Sequence, residues 1–137
     1  MVEQSLVFIK PDGVKRQLMA EVVGRFERRG FTFHKLELRQ LTSDEVDRHY
    51  EEHIGRDFYP RLKEFILSGP VLIMVLEGPR AIDTIRKMVG VTDSLDAEPG
   101  TIRGDLSLDK GQNVVHASDS QESARREIEN FFGALVY

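Results

Sequence analysis

The sequence contains no cysteine at all. This absence excludes disulfide scaffolds, thiolate metal sites and cysteine nucleophiles. The chain also has no excess of positive charge, because 19 Lys and Arg face 23 Asp and Glu, for a formal net charge of −4. We therefore expect no overall attraction to nucleic acid or to anionic lipid. Any phosphate site has to come from local placement of cations.

Long hydrophobic runs are absent as well. The longest, residues 71–76, is far too short to span a bilayer, and the N-terminus lacks the basic region of a signal peptide. We expect a cytoplasmic protein with no membrane partner. The chain also lacks internal repeats and Ser/Gly linkers, so its 137 residues predict a single domain, 1–137.

Apolar β-rich runs predict strands at 6–9, 31–38 and 71–77, and a short strand core at 114–115. The apolar alternation of the second run slips by one residue after Phe33. The first run is followed by Pro-Asp-Gly, which predicts a turn.

Apolar stripes and capping residues predict the helices. The segment 91–111 carries little regular pattern, so we expect a long loop there, and such loops are usually functional. A capping box, Thr-Ser-Asp-Glu, opens the second helix. The helices are predicted at 19–29, 42–53, 59–67 and 79–90, with a last one capped by 118–120 that turns Ile128, Phe131 and Phe132 inward.

The order of these elements is β-α-β, a helical pair, and then β-α-β-α. This order predicts an α+β fold: a ferredoxin-like βαββαβ sandwich with a four-stranded antiparallel sheet. The helical pair is an insertion, and the last helix follows the final strand. We expect the helices to cover one face of the sheet.

The sequence has neither a P-loop nor a dinucleotide-binding turn. Its most informative residue is His116, which ends a short strand just before a helix begins. Such a ring is either a hydrogen-bonded structural histidine or a nucleophile, with one nitrogen attacking and the other donating its proton. Glu127 on the next helix is either that proton acceptor or a solvated helix residue.

Three cations lie at the ends of elements or in the long loop: Lys10, Arg86 and Arg103. Phosphoryl transfer needs positive charge around the phosphate oxygens, and cations from separate segments can converge for that purpose. Each of them alone is equally an ordinary surface charge.

The segment from His49 to His53 matches H-x-x-E-H, an inverted zinc-peptidase signature. We expect no zinc there, because the helix is short and a third ligand has to come from elsewhere. Tyr50 within it suggests the lining of a cleft instead. Phe58 is either a core residue or an exposed ring on which a base stacks.

Residues 113–119, Asn-Val-Val-His-Ala-Ser-Asp, resemble the N-x-x-H-[GA]-S-D signature of nucleoside diphosphate kinases. The resemblance is collinear over nearly the whole chain and implies a single nucleoside diphosphate kinase-like domain. It continues through 10–14, 49–50, 58–60, 68–70 and 99–105.

In that family a histidine takes the γ-phosphate of a nucleoside triphosphate and gives it to a diphosphate, with Mg²⁺ carried by the nucleotide. The resemblance therefore implies ping-pong transfer through phosphohistidine at His116, and no metal held by the protein itself. Stacking on Phe58, with no Asn/Gln pair nearby, indicates low base specificity. The implied roles are ring orientation for Glu127 and Ser118, phosphate binding for Arg86, Thr92 and Arg103, contact with the ribose 3′-hydroxyl for Lys10 and Asn113, the phosphate path for Tyr50, and base stacking for Phe58 and Leu62.

The sequence departs from the family pattern in three places. Lys110 stands where an aliphatic residue usually faces the base, Ser94 replaces a common loop proline, and the end at 132–137 is short. The family forms homo-oligomers, so we expect a hexamer rather than a tetramer, weakened by the last two changes.

Two alternatives to the enzyme stay open at this point. One is a non-catalytic nucleotide-binding module. The other is an RNA-binding ferredoxin-like module, which the missing RNP1 pattern and the negative net charge argue against. A nucleic-acid partner is therefore not indicated.

Overall fold

Four antiparallel strands form the sheet of the computed structural model, which describes residues 2–133. The strands are β1 (Val2–Ile9), β2 (Thr32–Arg39), β3 (Val71–Pro79) and β4 (Val115–Ala117). Their order is β2-β3-β1-β4, so β1 and β3 are central and β2 and β4 are the edges. The predicted four-stranded antiparallel sheet is confirmed.

The second half of strand β1, residues 5–9, is buried on both faces of the sheet. Leu6 and Phe8 pack into one apolar cluster, and Val7 and Ile9 pack into another on the opposite face. Alternate residues of a strand point to opposite faces. A continuous apolar run at 6–9 therefore means that both faces of the sheet are covered.

The helices accordingly lie on both faces, and the expectation that they cover one face was wrong. Helices α2 (Met19–Arg29) and α5 (Ala81–Val89) pack on the Val7 side. Helices α3 (Ser43–His49), α4 (Tyr59–Ile66) and α7 (Gln121–Phe132) pack on the Phe8 side. Among the described residues, no helix is long and apolar enough to cross a membrane.

The slip in the second strand is a β-bulge. The pairing of β2 with β3 shifts register between Phe33 and Lys35, which leaves His34 as the extra residue. The bulge re-aligns the strand, but Leu36 and Leu38 remain 51% and 56% exposed because β2 is an edge strand.

Most helix boundaries fall close to the predicted ones. The capping box is confirmed, since Thr42 and Glu45 bond each other's backbone N–H groups. Helix α3 ends at His49 rather than near residue 53, and a separate 3₁₀ turn follows over Glu51–His53. The short helix α1 (Pro11–Lys15) occupies the place of the predicted turn.

The start of the fourth predicted helix also differs. Pro79 is the last residue of β3, and α5 begins at Ala81. Arg80 lies between them with a left-handed backbone, φ 50°. The sequence predicts a helix start at Pro79, but in the structure this proline is the last residue of the strand.

The predicted long loop contains more structure than its pattern shows. It includes a 3₁₀ turn over Ser94–Asp96 and helix α6 (Ile102–Leu106). Ile102 is fully buried and anchors the segment in the core. A helix of five residues is too short to give a periodic pattern, which is why it was missed. The short C-terminal end beyond residue 133 lies outside the described residues.

Candidate active site

The His116 ring lies on edge strand β4, opposite Phe8 of β1. Its Nε2 is 3.1 Å from Oε1 of Glu127, and the Phe8 ring stacks against it at 4.9 Å between centroids. The side chain is 19% exposed. Among the described residues, the Nε2 contact is the only hydrogen bond of the ring, so Nδ1 has no protein partner.

Glu127 is a buried carboxylate on α7. Oε1 also accepts a hydrogen bond of 2.7 Å from the hydroxyl of Ser118, which itself accepts one from the backbone N–H of Leu6. Burial raises the pKa of Glu127, but the charge of His116 and the hydrogen bonds outweigh it and lower the pKa below its ordinary value. An ionised Glu127 selects the His116 tautomer with hydrogen on Nε2.

Lys10 brings a buried cation to the same region from the end of β1. Its ammonium donates a 2.7 Å hydrogen bond to Oδ1 of Asn113. Burial, and then the charge of Arg103, lower the pKa of Lys10 to about 8, although Asp12 works in the opposite direction. The group is therefore a weakly hydrated cation that is easily deprotonated.

Asn113 is fully oriented by the backbone around it. Its amide nitrogen donates to the carbonyls of Thr92 and Lys110, at 3.0 and 2.8 Å, while its oxygen accepts from Lys10. The Thr92 and Lys110 side chains are themselves exposed. The buried amide of Asn113 therefore links the beginning and the end of the segment 92–113.

Val114 has an unusual backbone, with φ 76°. The N–H of Val115 bonds the carbonyl of Asn113 at 2.9 Å across it, a three-residue turn that is strained for a β-branched residue. Two bonds hold it: Lys10 N–H to the Val114 carbonyl, 2.8 Å, and Val114 N–H to Oδ2 of Asp12, 3.0 Å. The strained turn carries Asn113 and leads directly into β4.

Arg103 and Arg86 add two guanidinium groups. Arg103, on α6, is 4% exposed and donates to the carbonyls of Gly90, Asn113 and Val115. Burial and the charge of Arg86 lower the pKa of Arg103 to about 10. Arg86, half-buried on α5, donates to the carbonyl of Ala117 at 3.3 Å.

The two histidines of the H-x-x-E-H match, His49 and His53, contact different residues and do not converge on one point. His53, in the 3₁₀ turn, stacks on Tyr50 and lies 3.9 Å from Glu52. His49 is buried and faces Glu127, 4.0 Å away. The helix ends between them, so the zinc-peptidase geometry is not formed.

His49 instead joins the His116 site, which sequence reasoning missed. Ligand atoms of His49, His116 and Glu127 all lie within 4.8 Å of one another. His116 and Glu127 bond each other, and His49 faces Glu127 at 4.0 Å without a hydrogen bond. The available signal was helical spacing, since Val46 and His49 share the buried face of α3.

The residues expected to meet the base lie at the start of α4. Phe58 is 51% exposed, so its ring is on the surface rather than in the core. Leu62, one turn further along, is partly buried against the Phe8-side core. Tyr50 lies between this region and the group of His49, His116 and Glu127, with its ring 4.4 Å from that of His49 and 6.4 Å from that of Tyr59.

A partly buried imidazole is oriented by a carboxylate, and a lysine and two arginines bond backbone or side chains of the same region. The imidazole is therefore a candidate nucleophile, and the cations are candidate ligands for an anion. This is the arrangement of a group-transfer enzyme acting on phosphates.

Comparison with known proteins identifies the family. Residues 3–135 match the family model of nucleoside diphosphate kinase. The chain is 53% identical over 134 residues to the nucleoside diphosphate kinase of Cutibacterium acnes, covering 98% of this chain and 97% of that protein.

Two solved structures are also similar. The nucleoside diphosphate kinase of Encephalitozoon cuniculi gives a TM-score of 0.95 at 34% identity, covering 98% of this chain and 92% of that one. The halophilic enzyme of Halobacterium salinarum, solved in complex with CDP, gives 0.93 at 40% identity, covering 96% and 88%. The chain belongs to the nucleoside diphosphate kinase family and is a phosphotransferase. The predicted family, enzyme class and α+β fold are confirmed.

Proposed function

We propose that the chain moves the γ-phosphoryl group of a nucleoside triphosphate to a nucleoside diphosphate through a phosphohistidine at His116. The observation that carries the proposal is the bond of 3.1 Å between Nε2 and Glu127, which leaves Nδ1 free to attack. The Nδ1 lone pair forms a bond to the γ-phosphorus, and the bond to the β-phosphate oxygen breaks. The diphosphate leaves with that electron pair.

The second half-reaction reverses the first. A β-phosphate oxygen of the acceptor diphosphate forms the new bond, the Nδ1–P bond breaks, and its electron pair returns to Nδ1. Throughout, Nε2 keeps its proton and donates a hydrogen bond to Oε1 of Glu127. Ser118 holds the carboxylate in place by its 2.7 Å hydrogen bond.

The cations of the site supply the electrostatic stabilisation. Arg86, Arg103 and the exposed Thr92 bind the phosphates, and Tyr50 lines their path. Lys10 acts on the transferred group, where a buried charge is more effective than a hydrated one. Lys10 and the oriented amide of Asn113 also meet the ribose 3′-hydroxyl.

Magnesium fits this site as part of the substrate. The residues proposed to bind the phosphates, Lys10, Arg86 and Arg103, are cationic, whereas Mg²⁺ prefers oxygen ligands such as phosphates and carboxylates. The protein therefore binds the nucleotide's Mg²⁺ complex through the phosphates, and the metal supplies charge neutralisation there. A CDP complex of a structural relative supports a nucleoside diphosphate as the acceptor.

The base contact is open, and we expect low base specificity. Phe58 offers an exposed ring, and stacking accepts any base because every base has a π-face. We predict kcat/KM values for the four common nucleotides within about a hundredfold, near 2.7 kcal/mol. Lys110→Val tests whether this exposed lysine adds a preference for bases with an acceptor edge, such as guanine. If the wild-type kcat/KM values for the four nucleotides differ by more than this, base recognition by stacking alone is contradicted.

The catalytic unit is the single domain 1–137, and we propose that it works as a homo-oligomer, a hexamer rather than a tetramer. The expected cytoplasmic location stays a prediction.

The test of the mechanism is labelling with γ-³²P ATP. Wild type is expected to carry acid-labile label that a nucleoside diphosphate removes, and double-reciprocal plots are expected to be parallel. His116→Ala should lose the label while it still binds nucleotide. His34→Ala, on β2 and outside the site, is the matched histidine control. Intersecting plots, or label retained by His116→Ala, would overturn the covalent route.

A further inference from the structure

His49 is a buried, titratable residue that the proposed reaction does not use. It is 5% exposed and closes helix α3. Its Nδ1 has no hydrogen-bond partner within residues 2–133, although it is shielded from water. The acidic oxygen closest to it is Oε2 of Glu127, at 4.0 Å. Buried polar groups without a partner are rare, so this nitrogen needs an explanation.

The His49 ring also forms one wall of the space around His116. The two imidazoles meet edge to face, with 4.6 Å between centroids and 83° between planes. Phe8 stacks on the His116 ring at 4.9 Å, and Phe131 packs on His49 at 5.5 Å. The His116 ring therefore lies between two neighbours, which restrict its rotation.

The two carboxylate oxygens of Glu127 face different side chains. Oε1 accepts from both His116 and Ser118, at 3.1 and 2.7 Å. Oε2 faces His49, and the two side chains are 6% and 3% exposed. If the carboxylate turned, Oε1 would leave Nε2, and the orientation of the attacking ring would be lost.

The charge of His49 follows from its surroundings. Burial, and then the positive charge of His116, lower the pKa of His49 to about 3, so its ring is neutral near pH 7. The charged groups that act on it are His116 from β4, Glu127 and Arg126 from α7, and Lys10 after β1. A neutral ring has a single N–H. With hydrogen on Nδ1 the ring points a positive dipole at the carboxylate, and with hydrogen on Nε2 it points a lone pair.

We propose that His49 is a positioning residue for the phosphate-accepting histidine: it presents Nδ1–H to Oε2 of Glu127 and its ring edge to His116, so that Oε1 stays on Nε2. This inference rests on the proposed transfer through His116. Without the Nδ1–H dipole, the carboxylate turns more freely and His116 reaches its attacking orientation less often.

Two variants separate the N–H group from the ring. His49→Phe keeps an aromatic ring of similar size but has no donor. His49→Asn loses the ring but can place an amide N–H near the position of Nδ1. For each variant, the rate of His116 phosphorylation in a single turnover and the Kd for the nucleotide are measured separately.

The expected loss for His49→Phe is about tenfold in the phosphorylation rate, within the roughly hundredfold that misplacing a reacting group costs. The Kd for the nucleotide should stay within about twofold, because His49 acts on the ring rather than on the phosphates. His49→Asn should recover most of the rate. Equal losses in both variants, or a wild-type rate in His49→Phe, would overturn the proposal.

¹⁵N NMR of the histidine rings in the wild-type protein gives a readout that does not depend on a variant folding. We expect His49 to be neutral with hydrogen on Nδ1, and His116 to carry its hydrogen on Nε2. A His49 ring with hydrogen on Nε2 contradicts the inference directly. If wild type is never labelled at His116, the proposed function fails instead, whatever the tautomer of His49.

Discussion

Lys10 is only 8% exposed, and this burial makes the charge of its ammonium group depend on pH near neutrality. An exposed lysine stays charged well above neutrality, but burial and the Arg103 charge lower the pKa of Lys10 to about 8. The cation is present below that pH and lost above it. The proposed phosphate chemistry therefore depends on a group that titrates just above the physiological range.

We predict that kcat/KM for the nucleoside triphosphate falls as the pH rises through about 8. This parameter reports the free enzyme, in which Lys10 has the lowered pKa. In Lys10→Arg the guanidinium stays charged, so this alkaline fall should disappear even if the activity is reduced overall. The pH profile of each protein between 6 and 10 is the measurement. An unchanged alkaline limb in Lys10→Arg assigns the titration to another group.

Asp12 stabilises the strained backbone of Val114. Its Oδ2 accepts from the Val114 N–H at 3.0 Å, whereas its Oδ1 is buried without a hydrogen bond inside the described range. Burial raises the pKa of Asp12, since a charged carboxylate is poorly solvated there. The carboxylate is thus kept in an unfavourable place, where it secures the turn that carries Asn113.

Replacing Asp12 should separate its acceptor from its charge. Asp12→Ala leaves the buried Val114 N–H unsatisfied, so we expect a loss of about 1–3 kcal/mol in the free energy of unfolding. Asp12→Asn keeps an oxygen acceptor and should lose much less. Chemical denaturation of both variants measures the difference. Equal losses would show that the charge, rather than the hydrogen bond, matters at this position.

At the scale of elements, the segment between α5 and β4 is organised by contacts from its two ends. Arg103 of α6 bonds carbonyls at Gly90 and Val115, which flank the segment. Gly104 allows the close turn at the start of α6, because a Cβ there would collide with the carbonyl oxygen of Glu98. The segment is therefore a folded part of the site, although its sequence shows little regular pattern.

Ser94 opens the 3₁₀ turn of this segment. It is 4% exposed, and its hydroxyl is buried without a partner among residues 2–133. The first residue of such a turn uses φ of about −50 to −70°, as proline does, and its N–H is not needed by the turn. Asp93 before it is extended, with ψ 111°, which also suits proline at 94.

We therefore predict that Ser94→Pro stabilises the protein by about 0.4–1 kcal/mol through the unfolded-state entropy. Ser94→Ala is the matched control, since it removes the unpartnered hydroxyl without restricting φ. Thermal melting should rank Ser94→Pro above Ser94→Ala. A melting temperature for Ser94→Pro below that of wild type would disprove the argument.

At the scale of the whole molecule, two groups of the exposed apolar side chains are distinct from Phe58 and the expected base contact. Leu36 and Leu38 lie on the edge strand β2, and Leu95 and Leu108 lie in the segment before β4, with Leu95 72% and Leu108 83% exposed. The first region is on edge strand β2, and the second lies in the segment that leads into edge strand β4. Exposed apolar groups and an open sheet edge favour contact with another copy of the chain.

We predict a hexamer whose melting temperature rises with protein concentration, since dissociation is linked to unfolding by mass action. Leu38→Lys and Leu95→Lys each place a charge in one region and should reduce the mass measured by light scattering. A stable monomer at micromolar concentration in wild type would refute the assembly. If only one of these variants reduces the mass, the other region is not an interface.

Local pattern was sufficient to predict much of the fold and the family of the chain. The apolar runs of β1 and β3, the stripes of α2 and α5 and the capping box at Thr42 each depend on neighbours a few residues away. The His116 signature is likewise contiguous. These features were predicted correctly because helix period, strand period and capping are properties of short segments.

Only the tertiary structure shows the features that depend on contacts between residues far apart in the sequence. Lys10 bonds Asn113 across 103 positions, and His49 meets Glu127 of the last helix. The left-handed Val114, the use of both sheet faces and the place of His49 beside His116 all come from such contacts. No short segment encodes them, because their energy is gained only when the separate segments pack together and exclude water. The sequence alone therefore determined most of the elements and the family, whereas the folded chain determined which side chains meet and which nitrogen of His116 is left free.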